Sequence, residues 1–123
     1  MISFKKLEKI NRSELMQVIY KKLDKINYLN KTIYTHIADG NIKTFNYYKR
    51  LYQKDLGEFI NKFFYMIMSR YNEQKELKNI YCNNILISEM TKTLNKDELI
   101  ELVGYLENYA HDIINDFIDY RDN

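Results

Sequence analysis

The sequence predicts an all-α protein: an elongated antiparallel bundle of about four main helices plus a short N-terminal helix, in one domain over residues 1–123. Three observations carry that prediction. The chain contains no proline, the strongest helix breaker. An Asn three positions before a Glu marks two helix starts, and apolar residues recur at spacings of 3 and 4 along three long stretches. Nothing reads as a strand of useful length.

Phe4, Leu7 and Ile10 supply one face of a short first helix. The second begins at Asn11-Arg12-Ser13-Glu14, a capping residue followed by a glutamate at the capping-box distance. Behind it Met16, Ile19, Leu23, Ile26, Asn30, Ile33 and Ile37 form a heptad seam. The pattern stops at Ala38-Asp39-Gly40-Asn41, where Gly40 can take the left-handed conformation of a helix C-terminus. Within the seam, Asn30 stands where an apolar residue is expected. Either it fixes register, as a lone seam asparagine does in coiled coils, or the bundle opens there and Leu29 takes the core role.

A third pattern runs from about Ile42 to Tyr71 through Phe45, Tyr48, Tyr52, Leu56, Phe59, Phe63 and Ile67. Ile60 and Phe64 widen this stripe, so the helix is expected to sit deepest in the core. Gly57, in its middle, marks a close helix contact or a bend. Over 72–94 the spacing of Leu77, Ile80 and Tyr81 predicts one further helix, with Asn83-Asn84 a plausible break. The last helix starts at Asn95-Lys96-Asp97-Glu98, a second capping box, and carries the seam Leu99, Val103, Leu106, Ala110, Ile113, Phe117 and Tyr120. Helices of ~27 residues reach ~40 Å at 1.5 Å per residue, long for so small a chain. A second copy completing the burial, a homodimer, is one expectation from that shape.

Composition narrows the setting. Hydrophobic residues make up 46% and charged residues 29%, a globular balance. The single cysteine, Cys82, cannot form an internal disulfide and reads as a small buried hydrophobe, which favours a reducing, cytoplasmic location. The start has basic residues but no following apolar run, and so does not read as a signal peptide. The longest apolar run, Phe63–Met68, is too short for a bilayer, which needs about 20 residues, so no membrane contact is expected.

Charge is divided between the halves. Residues 1–70 carry 14 Lys and Arg against 6 Asp and Glu, and residues 71–123 carry 5 against 11. The whole-chain net of +2 conceals a basic half and an acidic half. Such asymmetry points to partners or self-complementarity rather than to a fold.

Catalytic signatures are weak. His36 lies three before Asp39, and His111 four after Glu107, but Glu107 and His111 each follow a seam residue and fall off the buried line. A metal site in a bundle needs inward-facing ligands. The four serines have no elbow motif, and Gly40, Gly57 and Gly104 are too isolated to form a phosphate-cradling loop. No enzyme activity, cofactor or metal is expected.

Two surfaces remain. Asp112, Asp116 and Asp119, spaced 4 and 3, form an outward acidic line near the end of the last helix. Acid there opposes the helix dipole, so stability alone does not choose it. It either pairs with the basic helices inside the fold or docks a basic partner. Lys43, Tyr47, Arg50 and Lys54, spaced 4, 3 and 4, form a basic stripe interleaved with rings, with Lys49 beside it. Cations suit backbone phosphates and exposed rings suit unpaired bases. The expectation is a non-enzymatic protein that binds a protein partner through a charged bundle face to block, scaffold or regulate it. Size and composition suit a regulator of mobile-element, phage or immunity type. The alternative is a single-stranded nucleic-acid or RNA-binding subunit that uses the Lys/Tyr stripe.

Overall fold

The computed structural model describes residues 4–70, 92 and 94–122. Four helices account for nearly all of them: α1 (Phe4–Lys9), α2 (Arg12–Ala38), α3 (Ile42–Arg70) and α4 (Lys96–Asp122). No strand occurs among the described residues. The helix expected over 72–94, Cys82 included, falls outside the described residues apart from positions 92 and 94, of which Leu94 is buried.

Local chemistry explains the boundaries. Asn11 Oδ1 accepts the Glu14 N–H at 2.8 Å and opens α2. At α4 the capping box is reciprocal: Asn95 Oδ1 accepts from the Glu98 N–H, and Glu98 Oε1 accepts from the Asn95 N–H, both at 2.9 Å. Between α2 and α3 the chain reverses through two left-handed residues, Asp39 (φ 47°) and Gly40 (φ 83°). Asn41 then caps α3, its Oδ1 accepting from the N–H groups of Lys43 and Thr44 at 3.0 and 3.2 Å.

α2 is the central helix and lies against both α3 and α4, which touch each other only briefly. This corrects the expectation that the third pattern sits deepest. On α3 the fully buried apolar side chains among the described residues are Leu56, Ile60 and Phe63, and no residue from Ile42 to Asp55 is buried. The aromatic residues of that first part rest on a single neighbour, with Tyr34 of α2 meeting Phe45 at 4.8 Å and Tyr52 at 6.1 Å. On α2 the seam holds with one shift: Leu15, not Met16, is the buried residue of its first turn. Ile19, Leu23, Ile26 and Ile33 follow it into the core, where they meet Leu99, Val103, Leu106 and Ile113 of α4.

Contacts along the helices set their directions. Lys22 of α2 pairs with Glu107 of α4 at 2.9 Å, and further on His36 stands edge-on to Phe117 at 5.7 Å, so α2 and α4 run the same way. α3 runs opposite to both. Its Phe63 meets Tyr105 while the earlier Asp55 meets Tyr109. α1 closes the end where α2 and α4 begin, burying Leu7, while the Lys96 ammonium donates to the Glu8 carbonyl at 2.6 Å.

Asn30 lies in the buried seam at 4% exposure, so the bundle does not open there. Its Oδ1 finds no hydrogen-bond partner among the described residues. No described helix is long and apolar enough to cross a membrane.

Candidate functional site

The brief meeting of α3 and α4 shapes the site. Phe59 stacks on Tyr105 at 4.2 Å and lies 4.3 Å from Tyr109, which holds the two helices together at mid-length. Beyond that point, toward the end of α2, Tyr48 and Tyr52 of α3 turn to the Tyr34 side and form a ladder with ring centroids about 6 Å apart. Between α3 and α4 this leaves a groove of about 340 Å³.

Ile33 and Ile37 of α2 make its floor. Tyr52 and Phe59 wall one side, and Tyr109, Ile113 and Phe117 the other. Three carboxylates stand at its edge: Asp55 from α3, and Asp112 and Asp116 from α4, all on exposed residues. No cationic residue lines it among the described residues. The groove therefore combines an apolar, partly aromatic lining with a uniformly negative rim.

The acidic line of α4 thus divides. Asp112 and Asp116 reach the groove, and neither has an ionic partner among the described residues. The reading in which these two pair with the basic helices inside the fold does not hold for them. Asp119 continues the line one turn on and is exposed, but it does not line the groove. One ion pair joining α2 and α4, Lys22 with Glu107, lies elsewhere on the interface.

Asp55 was not a candidate from sequence. It flanks the α3 stripe, and only the packing of α3 against α4 brings it opposite Asp112 and Asp116. Tyr109 Oη donates a hydrogen bond to Asp55 Oδ2 across the groove, fixing that carboxylate at the rim. The one helical signal available was its position, three after Tyr52 and four before Phe59.

The Lys/Tyr stripe is where helical geometry places it. Lys43, Tyr47, Arg50 and Lys54 are exposed along one outward line of α3. Lys49 is exposed too, but about a third of a turn away round the helix. Tyr47 is 57% exposed and stands edge-on to Tyr48 at 5.2 Å; Leu51, the next residue along that flank, is 43% exposed. Lys54 approaches Glu58 only at 4.0 Å with both side chains largely in solvent, a pair of little energetic weight.

His36 and His111 are both exposed, and His111 lines a shallow hollow with Lys22, Lys25 and Glu107. Among the described residues no three His, Cys, Asp or Glu side chains are placed to hold a metal ion. Among titratable groups, burial pushes the Tyr34 phenol above its ordinary value. Comparison with protein-family models, curated proteins and solved structures finds no match.

Proposed function

We propose that this chain acts by binding rather than by catalysis, capturing a basic amphipathic helix of a protein partner in the groove between α3 and α4. One observation carries the reading: an apolar lining from three helices beneath a rim of Asp55, Asp112 and Asp116, with no cationic residue in the lining among the described residues. A trough between two antiparallel helices laid over a third is where a fourth helix of a bundle sits. A visiting helix would set an aliphatic ridge, spaced i, i+4, i+7, on Ile33, Ile37 and Phe117. Lysines or arginines flanking that ridge would meet the rim, which favours encounter and fixes register more than it adds affinity. Occupying the partner's helix would block or scaffold it.

The test is fluorescence anisotropy with a labelled peptide helix carrying a leucine ridge flanked by lysines. A scrambled peptide of the same composition keeps the charge and loses the ridge. Binding of the first alone, weakened by Asp112→Lys with Asp116→Lys, is the expected result. Equal binding of both peptides, or of neither, refutes the reading.

The outward line Lys43, Tyr47, Arg50 and Lys54 supports a second reading, binding of single-stranded nucleic acid. Labelled RNA and DNA oligomers should then bind at low salt and lose affinity steeply as salt rises. Lys43→Glu, Arg50→Glu and Lys54→Glu together should abolish that binding, and unchanged affinity removes this reading.

A further inference from the structure

We infer that the groove's occupant in the isolated protein is the α3 stripe of a second copy, each chain of a two-fold dimer laying its α3 along the other's groove. The inference rests on the groove reading above and names an occupant present in the same sequence. The stripe has the chemistry that the groove demands. Tyr47 and Leu51, one turn apart on the same flank, are a protruding apolar pair, and Lys43, Arg50 and Lys54 line one side of that pair with positive charge. Three of the seven large hydrophobic side chains that stand exposed among the described residues, Ile42, Tyr47 and Leu51, fall within the first ten residues of α3. Of these, Tyr47 and Leu51 lie about 40° apart round the helix and form one exposed apolar flank, whereas Ile42 projects from the opposite side.

Placement decides the symmetry. Leu51 and Asp55 are successive residues along one side of α3, so the protruding flank and the groove wall share an edge. With donor and acceptor surfaces adjacent, a two-fold axis lets both copies dock at once. The contact is then isologous and closed, and no open fibre forms. The rim of Asp112 and Asp116 meets the partner's cations, and Tyr47 and Leu51 enter the apolar trough.

Analytical ultracentrifugation of the full chain tests this, with three samples and one mixture. The wild type is expected to be a dimer that weakens as salt screens the rim. Lys43→Glu/Arg50→Glu/Lys54→Glu places acid against acid, and Asp112→Lys/Asp116→Lys places base against base. Each should raise the dimer dissociation constant by about 100-fold or more, because like charges juxtaposed at an interface cost several kcal/mol. Mixed together, the two variants carry complementary surfaces again and should pair one to one. All five substituted residues are exposed, and circular dichroism verifies that helicity is kept. A monomeric wild type overturns the dimer, and if the ridge peptide still binds, the groove reading survives that loss. A dimer indifferent to either set of reversals, or variants that fail to recombine, overturns the stripe-in-groove contact. A dimer that behaves as expected while the ridge peptide fails to bind refutes the peptide-capture reading and leaves self-docking standing.

Discussion

Replacing Asn30 with leucine should make this protein more stable, although the change touches the middle of its central helix. Asn30 is 4% exposed between Ile26 and Ile33, which are 0% and 7% exposed, and its Oδ1 accepts no hydrogen bond among the described residues. An unsatisfied buried acceptor costs about 1–3 kcal/mol. Leucine removes that atom and adds apolar burial of about 1.5 kcal/mol, against overpacking of about 1 kcal/mol or more in a filled core. With overpacking at about 1 kcal/mol the balance is a gain of about 1.5–3.5 kcal/mol, or a rise in melting temperature of about 4 °C or more for a chain of this size. Urea unfolding followed by far-UV circular dichroism should move the midpoint upward with an unchanged slope. Asn30→Asp is the opposite control: it buries a charge in the same seam and should lose about 3 kcal/mol or more. If Asn30→Leu unfolds at lower urea than the wild type, the stranded oxygen is not a liability and the reasoning fails.

Three further outcomes follow from particular bonds. Asn95→Ala removes the acceptor for the Glu98 N–H and should lower stability by about 1 kcal/mol in urea, because the start of α4 loses half of its capping box. Tyr109→Phe deletes the donor that holds Asp55 across the groove; for a partly buried bond to a carboxylate the loss should be about 1–2 kcal/mol by the same assay, and a neutral result would mean that water replaces the phenol. Burial raises the Tyr34 phenol above its ordinary 10.0, so the folded state holds that proton more tightly than the unfolded chain does. Its contribution is therefore intact below pH 10 and falls as the pH climbs toward the raised folded value, so alkaline unfolding monitored by tyrosinate absorbance should be less steep in Tyr34→Phe.

Features that depend on residues three or four apart were legible in the sequence. The Asn11 and Asn95 caps, the seam of α2 from Ile19 to Ile33, that of α4 from Leu99 to Ile113, and the outward stripe Lys43, Tyr47, Arg50, Lys54 all appear where the spacing predicts. Each is decided within one helix. Features that depend on which helix meets which were not. The stripe of α3 is as rich as that of α2, yet α2 is central, because its faces meet both neighbours while the first part of α3 meets one. Asp55 looked like an ordinary solvated residue until α4 came alongside. Asn41 was read only as the end of a turn: Gly40 explained the reversal by itself, and the hydrogen bonds that make Asn41 a cap depend on where α3 starts.

The charge division of the sequence takes on a spatial meaning at one end of the bundle. α3 begins and α4 ends there, since α3 runs opposite to α4. The second residue of α3 is Lys43, and its first turn contains no acid, although the positive end of a helix dipole favours one. The last turn of α4 holds Arg121, as the negative end of a dipole favours, while Asp112 and Asp116 stand in the turns before it. Lys43, within the first turn of α3, forgoes about 0.3–1 kcal/mol by its placement. Lys43, Asp112 and Asp116 have no ion-pair partner among the described residues. The fold elsewhere follows local rules, with asparagine caps on all three long helices and a half-buried ion pair between α2 and α4. In the self-docking proposed above, the cations at the start of α3 and the carboxylates toward the end of α4, which stand at the same end of the bundle across the groove, would find their opposite charges on a second copy.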